Sequence, residues 1–223
     1  MQPSADATVF IVDDDAGVRD ALAWLLRSRR LLSSSFASAE EFEAVLADGF
    51  RPAHPCCLLL DVRMPGMSGL ALFEKLAERG LVEALPVIFL TGHADVPTAV
   101  DMVKRGAFDF CEKPFSDNAL VDRVEEALRR SASVLAAQRE KGVLEDRLAE
   151  LTERERDVMG LVAKGLPNKL IAARLNLSEN TIKMHIRHIL QKCSARNRTE
   201  AVILCSGRLS HNNGNRARAS RSS

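Results

Sequence analysis

Residues 56–62, CCLLLDV, form an apolar run closed by an aspartate and a valine. TVFIV at 8–12, LPVIFLT at 85–91 and AFDFCEK at 107–113 are similar short runs. Continuous apolar stretches of this length read as strands covered on both faces. Between them, apolar residues recur at helical spacing over 18–26, 39–46, 70–76, 97–104 and 118–128. The alternation predicts an α/β domain at 1–129, a doubly wound five-stranded parallel sheet with its site at the carboxyl ends of the strands. LLSSSF at 31–36 supplies the remaining strand, although three serines weaken its pattern and Arg29-Arg30 puts no glycine in the turn before it.

Composition agrees with a globular chain: 223 residues, 46% hydrophobic and 27% charged. Five cysteines show neither zinc-ligand spacing nor an even count, which disfavours a disulfide scaffold and points to reduced thiols in the cytoplasm. No apolar stretch reaches membrane-spanning length, and MQPSADATVFIVDDDAG lacks the order of a signal peptide, so no membrane partner is expected. The net charge of +1 conceals an asymmetry: residues 1–129 carry −8 and residues 130–223 carry +9. A basic half beside an acidic one suggests separate partners, nucleic acid for the former.

The strand ends bring together chemistry. Asp13, Asp14 and Asp15 follow the first strand, Asp61 ends the third, Thr91 the fourth and Lys113 the fifth. An aspartate run also serves as a helix cap, the plain reading of Asp13–Asp15 taken alone. Clustered on one rim, however, carboxylates repel, and hard oxygen donors of this kind favour Mg²⁺. A phosphoryl group on Asp61 would then meet metal, amine and hydroxyl together, which makes Asp61 a candidate nucleophile.

Residues 130–150 have no net charge, and Leu144, Leu148 and Leu151 share one helical stripe, so this linker reads as helical. Compact helices follow at 152–164, 167–175, 178–192 and 198–204. Thr152 with Glu155 makes a capping box, Pro167 suits a first turn and Ser178 is a cap. Over 178–192, Ile182, Ile186, Ile189 and Leu190 face inward and Lys183, Met184, Arg187 and His188 outward. A short helix, a tight turn and a longer cationic helix match a helix-turn-helix. Lys183 and Arg187 are then placed for phosphates or guanine edges, Met184 for a thymine methyl, and Asn168 with Lys169 for backbone phosphate. A solvated charged face on a small bundle has the same pattern. His185 sits near the apolar boundary, and His185 with His188 lack a third metal ligand. The basic tail at 207–223 is too polar to pack and reads as disordered.

IVDDD at 11–15, LLLDVRMPGMSGL at 58–70, FLTGHADVP at 89–97 and GAFDFCEKPF at 106–115 together resemble the receiver domains of bacterial two-component response regulators, a flavodoxin-like fold. LTERERDVMGLVAKGLPNKLIAARLNLSENTIKMHIRHILQKCSARNRTEAV at 151–202 resembles the LuxR-type helix-turn-helix of the NarL/FixJ regulators, placing the output domain at 151–206. The resemblance implies that Asp61 accepts phosphate from a sensor histidine kinase. It implies that Asp13, Asp14, Asp61 and the Arg63 backbone carbonyl hold Mg²⁺, that Lys113 contacts the phosphate, and that Thr91 and Phe110 form a switch pair. It further implies a promoter-binding activator, not an enzyme, that pairs through residues 96–112, contacts RNA polymerase, and reads DNA with Lys183, Met184, His185 and Arg187. Two positions depart from the pattern: Leu170 stands where glutamate is usual and Cys193 where leucine is common.

Two other functions remain to be weighed. A phosphatase of the haloacid-dehalogenase type also uses a strand-end aspartate, but needs a second aspartate two residues on, where this chain has Arg63. An RNA-binding output is the other alternative, and the groove-helix pattern favours duplex DNA.

Overall fold

A computed structural model of the chain describes residues 7–46, 49–92 and 96–204. The basic tail at 207–223 and residues 93–95 of the expected switch segment lie outside them. The chain divides into two compact units, residues 1–138 and 139–223.

In the first unit, β1 (Thr8–Val12), β2 (Leu32–Phe36), β3 (Cys56–Asp61), β4 (Val87–Thr91) and β5 (Asp109–Glu112) form one sheet in the order β2-β1-β3-β4-β5. Every pairing is parallel. The helices α1 (Ala16–Ser28), α2 (Ala39–Val45), α3 (Gly69–Glu78) and α4 (Val96–Lys104) connect the strands, and α5 (Asp117–Ala149) follows the last. The expected doubly wound sheet is therefore present. Strand alternation divides the core: Leu58 and Leu60 pack with Phe42, Leu72 and Phe73 on one face. Cys57 and Leu59 pack with Leu26, Val124 and Leu128 on the other. β3 and β4 are buried along their whole length, which is why they are apolar up to their last residues, Asp61 and Thr91.

β2 lies at the edge, and its serines pair with β1 on one side only. Phe36 anchors it, packing edge-on against Phe42 with ring centres 5.1 Å apart. The turn before β2 closes without glycine because Arg30 itself takes the left-handed conformation, φ 61°. The Leu31 N–H returns to the Leu26 carbonyl at 2.9 Å, the bond that ends a helix in this way.

Residues 130–138, read from the sequence as the start of a linker, lie within the first unit. Ser131 on α5 is wholly buried. Its hydroxyl accepts the Cys56 N–H at 3.0 Å and donates to the Ala84 carbonyl at 2.6 Å, pinning the helix to the foot of β3.

The second unit holds α6 (Glu153–Ala163), α7 (Asn168–Leu175), α8 (Glu179–Lys192) and a helical stretch at 198–204. Both halves of the Thr152–Glu155 capping box form, and Ser178 caps α8 through the Thr181 N–H. Leu151, Val158, Val162, Ile171, Ile182, Ile189 and Cys193 make its core. Cys193 is fully enclosed there, a small side chain in a packed position.

Ser131→Ala would strand a buried N–H and weaken a buried carbonyl, lowering stability by about 1–3 kcal/mol. Urea unfolding of the full chain reads this directly, and a loss below about 0.5 kcal/mol would contradict it.

Candidate functional site

Parallel register carries β1 and β3 side by side, Val12 opposite Leu60, so the next residues, Asp13 and Asp61, emerge together at the carboxyl edge. Both are buried. Thr91 ends β4, and the Lys113 N–H continues the β4–β5 ladder by donating to the Thr91 carbonyl at 2.7 Å. The Lys113 ammonium then reaches inward, 2.7 Å from Asp13 Oδ2 and 2.5 Å from Asp61 Oδ1. The Lys113–Pro114 peptide is cis.

Each remaining carboxylate oxygen has its own partner. Asp13 Oδ1 accepts the Asp15 N–H at 3.0 Å, and Asp61 Oδ2 accepts the Arg63 N–H at 2.7 Å. Burial pushes the Asp61 carboxyl above its ordinary range; hydrogen bonding and charge from Lys113 pull it back incompletely, and Asp13 adds to the rise. Burial also presses on Lys113, but its two carboxylate partners hold the ammonium protonated beyond the usual lysine range. Two carboxylates thus share one cation, and the buried set is one positive charge short.

The three aspartates after β1 take three roles. Asp13 enters the pocket, Asp14 is exposed at its mouth, and Asp15 caps α1 by accepting from Gly17 and Val18 at 2.7 and 3.3 Å. The capping reading thus holds for Asp15 alone. Among the described residues no three carboxylate, histidine or cysteine side chains are gathered closely enough to hold a metal. The Thr91 hydroxyl is buried and donates to the Gly92 carbonyl at 3.0 Å. Phe110 is half-buried against the core on the α2–α4 face.

Two supports escaped the sequence reading. Arg19 on α1 donates to the Asp13 carbonyl at 2.7 Å, steadying the strand end from behind. Gly69 opens α3 so close to β3 that a Cβ would stand 2.0 Å from the Asp61 carbonyl oxygen. The serine-glycine pair ahead of an apolar helix was the signal for the second, whereas nothing local marks Arg19 among the other arginines.

In the second unit, α8 buries Ile182 and Ile189 and exposes Lys183, Met184, Arg187 and His188. His185 is half-buried, as its place on the apolar boundary predicts. Lys169 is exposed at the start of α7, and Asn168 Oδ1 is taken by Arg198 at 2.8 Å. Leu170 is also exposed, so the residue that replaces glutamate leaves apolar surface there. Glu155 is buried beneath α8; burial raises its carboxyl, but Lys192 at 2.7 Å and the Thr152 cap hold it below the ordinary range. The bundle thereby fixes the base of α8 while leaving a cationic outer face, which suits a duplex groove.

Residues 9–125 match the response regulator receiver domain, and residues 149–205 match the bacterial regulatory proteins of the luxR family. The C4-dicarboxylate transport transcriptional regulatory protein DctR of Rhodobacter capsulatus is 46% identical over 85% of this chain and 94% of its own length. The transcriptional regulatory protein FixJ of Azorhizobium caulinodans is 40% identical over 87% and 89%. Among solved structures, the response regulator StyR superposes with a TM-score of 0.79 at 39% identity, covering 90% of this chain and 98% of its own. Full-length FixJ of B. japonicum gives 0.53 at 36% identity, covering 90% and 96%. With the strand-edge pocket and the cationic helix, these likenesses make the chain a member of the NarL/FixJ-type two-component response regulators, transcriptional regulators joining a receiver to a LuxR-type DNA-binding domain.

Proposed function

We propose that Asp61 is the phosphoacceptor of this regulator and that its phosphorylation by a sensor histidine kinase controls binding of α8 to promoter DNA. The observation that carries this reading is the buried pair, Asp13 and Asp61, sharing the single Lys113 ammonium. A carboxylate oxygen of Asp61 forms the bond to phosphorus as the donor's phosphorus–nitrogen bond breaks and the donor imidazole keeps that electron pair. Lys113, already held at the strand edge, then turns its ammonium to the phosphoryl oxygens.

The pocket's donor set suits Mg²⁺: hard oxygens, a deficit of positive charge, and an ion that needs only one or two carboxylates and keeps its waters. Asp13, Asp61 and the Arg63 carbonyl would hold it, with Asp14 at the mouth reaching it directly or through water. When bound, Mg²⁺ supplies charge that stabilises the transferring phosphoryl group.

Thr91 is the mobile hydroxyl of the proposal. Turned from the Gly92 carbonyl to a phosphoryl oxygen, it vacates space for the Phe110 ring, and the surface around 96–112 changes with it. Pairing of two chains there places two α8 helices on adjacent half-sites, with Lys183, Met184, His185 and Arg187 toward bases and Asn168 and Lys169 toward phosphates. The protein then acts in the cytoplasm as an activator that engages RNA polymerase; its receiver assists only its own phosphoryl transfer and loss. No helix of the described residues is long and apolar enough to cross a membrane.

Intact mass and DNA-site selection on wild type and Asp61→Asn, with Mg²⁺ and a small phosphodonor, test the proposal. Wild type gains one phosphate and a preference for paired sites that the variant lacks; no mass gain in wild type overturns it. In the same assay Arg187→Ala weakens specific binding by about 1–3 kcal/mol and relaxes base preference at one position. Equal affinity for all sequences would instead show that α8 reads no bases.

The raised Asp61 carboxyl has a sign that stability measurements can read. Because the folded value lies above the unfolded one, ionisation destabilises the fold as pH rises through it. Without divalent ions, Asp61→Asn therefore melts higher than wild type at pH 7, and the gap closes as the pH falls below the ordinary aspartate range. An opposite or pH-independent gap would contradict the burial account.

A further inference from the structure

The loop between β3 and α3, residues 62–68, brings the Arg63 N–H to Asp61 Oδ2, and its shape is held from outside the pocket. Glu40, in the first turn of α2, accepts the Met67 N–H at 2.7 Å through Oε1. The same oxygen covers Gly66, where an added Cβ would lie 2.6 Å away, and Gly66 has φ +75°. Pro65 followed by a glycine at positive φ is the pair a type II turn takes, so the link from Met67 back to Arg63 is short and stiff. The Glu40 carboxyl is held below its ordinary range by backbone N–H groups, its own and that of Met67.

α2 grips the following segment further along as well. Glu43 pairs with Lys75 on α3 at 2.8 Å and with Arg79, the residue that ends α3, at 3.3 Å, and Arg79 donates to the Leu46 carbonyl at 3.3 Å. Those contacts secure the helix, while Glu40 secures the loop. Glu40 is exposed, so removing its contact opens no core.

We propose that Glu40 is a positioning residue for phosphoryl acceptance: by fixing Met67 it sets where the Arg63 amide and carbonyl stand relative to the Asp61 carboxylate. This rests on Asp61 as the phosphoacceptor. A carboxylate that holds the Met67 N–H from outside the pocket changes the rate without entering the chemistry, because small misplacements at a reacting centre are amplified in rate.

The test uses the full chain as wild type, Glu40→Ala and Glu40→Gln, with acetyl phosphate and Mg²⁺. In this reaction an Asp61 oxygen bonds to phosphorus, the phosphorus–oxygen bond to acetate breaks, and acetate leaves with the electron pair. Intact mass against time gives the rate, and amide exchange of Met67 without donor or metal gives the loop's protection. Glu40→Ala slows acceptance about fivefold, the factor one ordinary net hydrogen bond supplies. Its Met67 amide exchanges about tenfold faster, as local opening predicts, while the thermal midpoint falls by no more than about 4 °C. Glu40→Gln, whose side-chain carbonyl still accepts, restores both to near wild type. Wild-type rate in Glu40→Ala, or a glutamine variant as slow as the alanine one, overturns the role assigned to Glu40. A wild type that gains no phosphate overturns the Asp61 reading itself, and the role of Glu40 in acceptance with it, a result separate from equal rates.

Discussion

One ammonium between two buried carboxylates is the constraint around which the first unit is arranged. Asp13 and Asp61 come together because β1 and β3 are paired in parallel register, and Lys113 reaches them because β5 continues the ladder past Thr91. Such a group is costly to bury and is tolerated only where every oxygen has a partner. The Arg63 and Asp15 amides and the Arg19 guanidinium, bound to the Asp13 carbonyl, supply those partners or fix their frame. The closeness of α3 to Asp61, which excludes a side chain at 69, belongs to the same requirement. Burial holds the Asp61 carboxyl above its ordinary range here, and perturbed carboxyls of this kind gather at functional sites.

The sheet was legible in the chain because its interior strands have no freedom. β3 and β4 are covered on both faces, so hydrophobicity runs unbroken and ends where the polar edge begins. β2 was faint for a physical reason: an edge strand needs only one ladder and one anchoring ring, Phe36, and serines suffice elsewhere. The reach of α5 into the first unit was not legible, because Ser131 looks like an ordinary polar helix residue until Cys56 and Ala84 are brought to it. Of the site, Asp61, Lys113 and Thr91 stood out as polar groups at successive strand ends. Arg19 and Glu40 did not, since each acts on a backbone group, six and 27 residues away, that no side-chain pattern marks.

The second unit shows the converse. Its helices are announced by their caps, Thr152 with Glu155 and Ser178, so their starts follow from local chemistry alone. Side-chain spacing on α8 then separates core from cationic face. What spacing leaves hidden is the anchoring of that helix by Lys192 to a buried Glu155, a pair that also explains why the capping glutamate is enclosed rather than solvated. The basic charge of the second half suits the polyanion that its LuxR-type domain binds.

The most direct measurement is the nitrogen-15 signal of the Lys113 ammonium, followed as Mg²⁺ and then beryllium fluoride, a phosphoryl mimic, are added. A shared, protonated ammonium gives a slowly exchanging signal that shifts when the mimic occupies Asp61, and Asp61→Asn abolishes the shift. A signal lost to rapid exchange, or one indifferent to the mimic in wild type, would contradict the account of Lys113 as the bridge of this site.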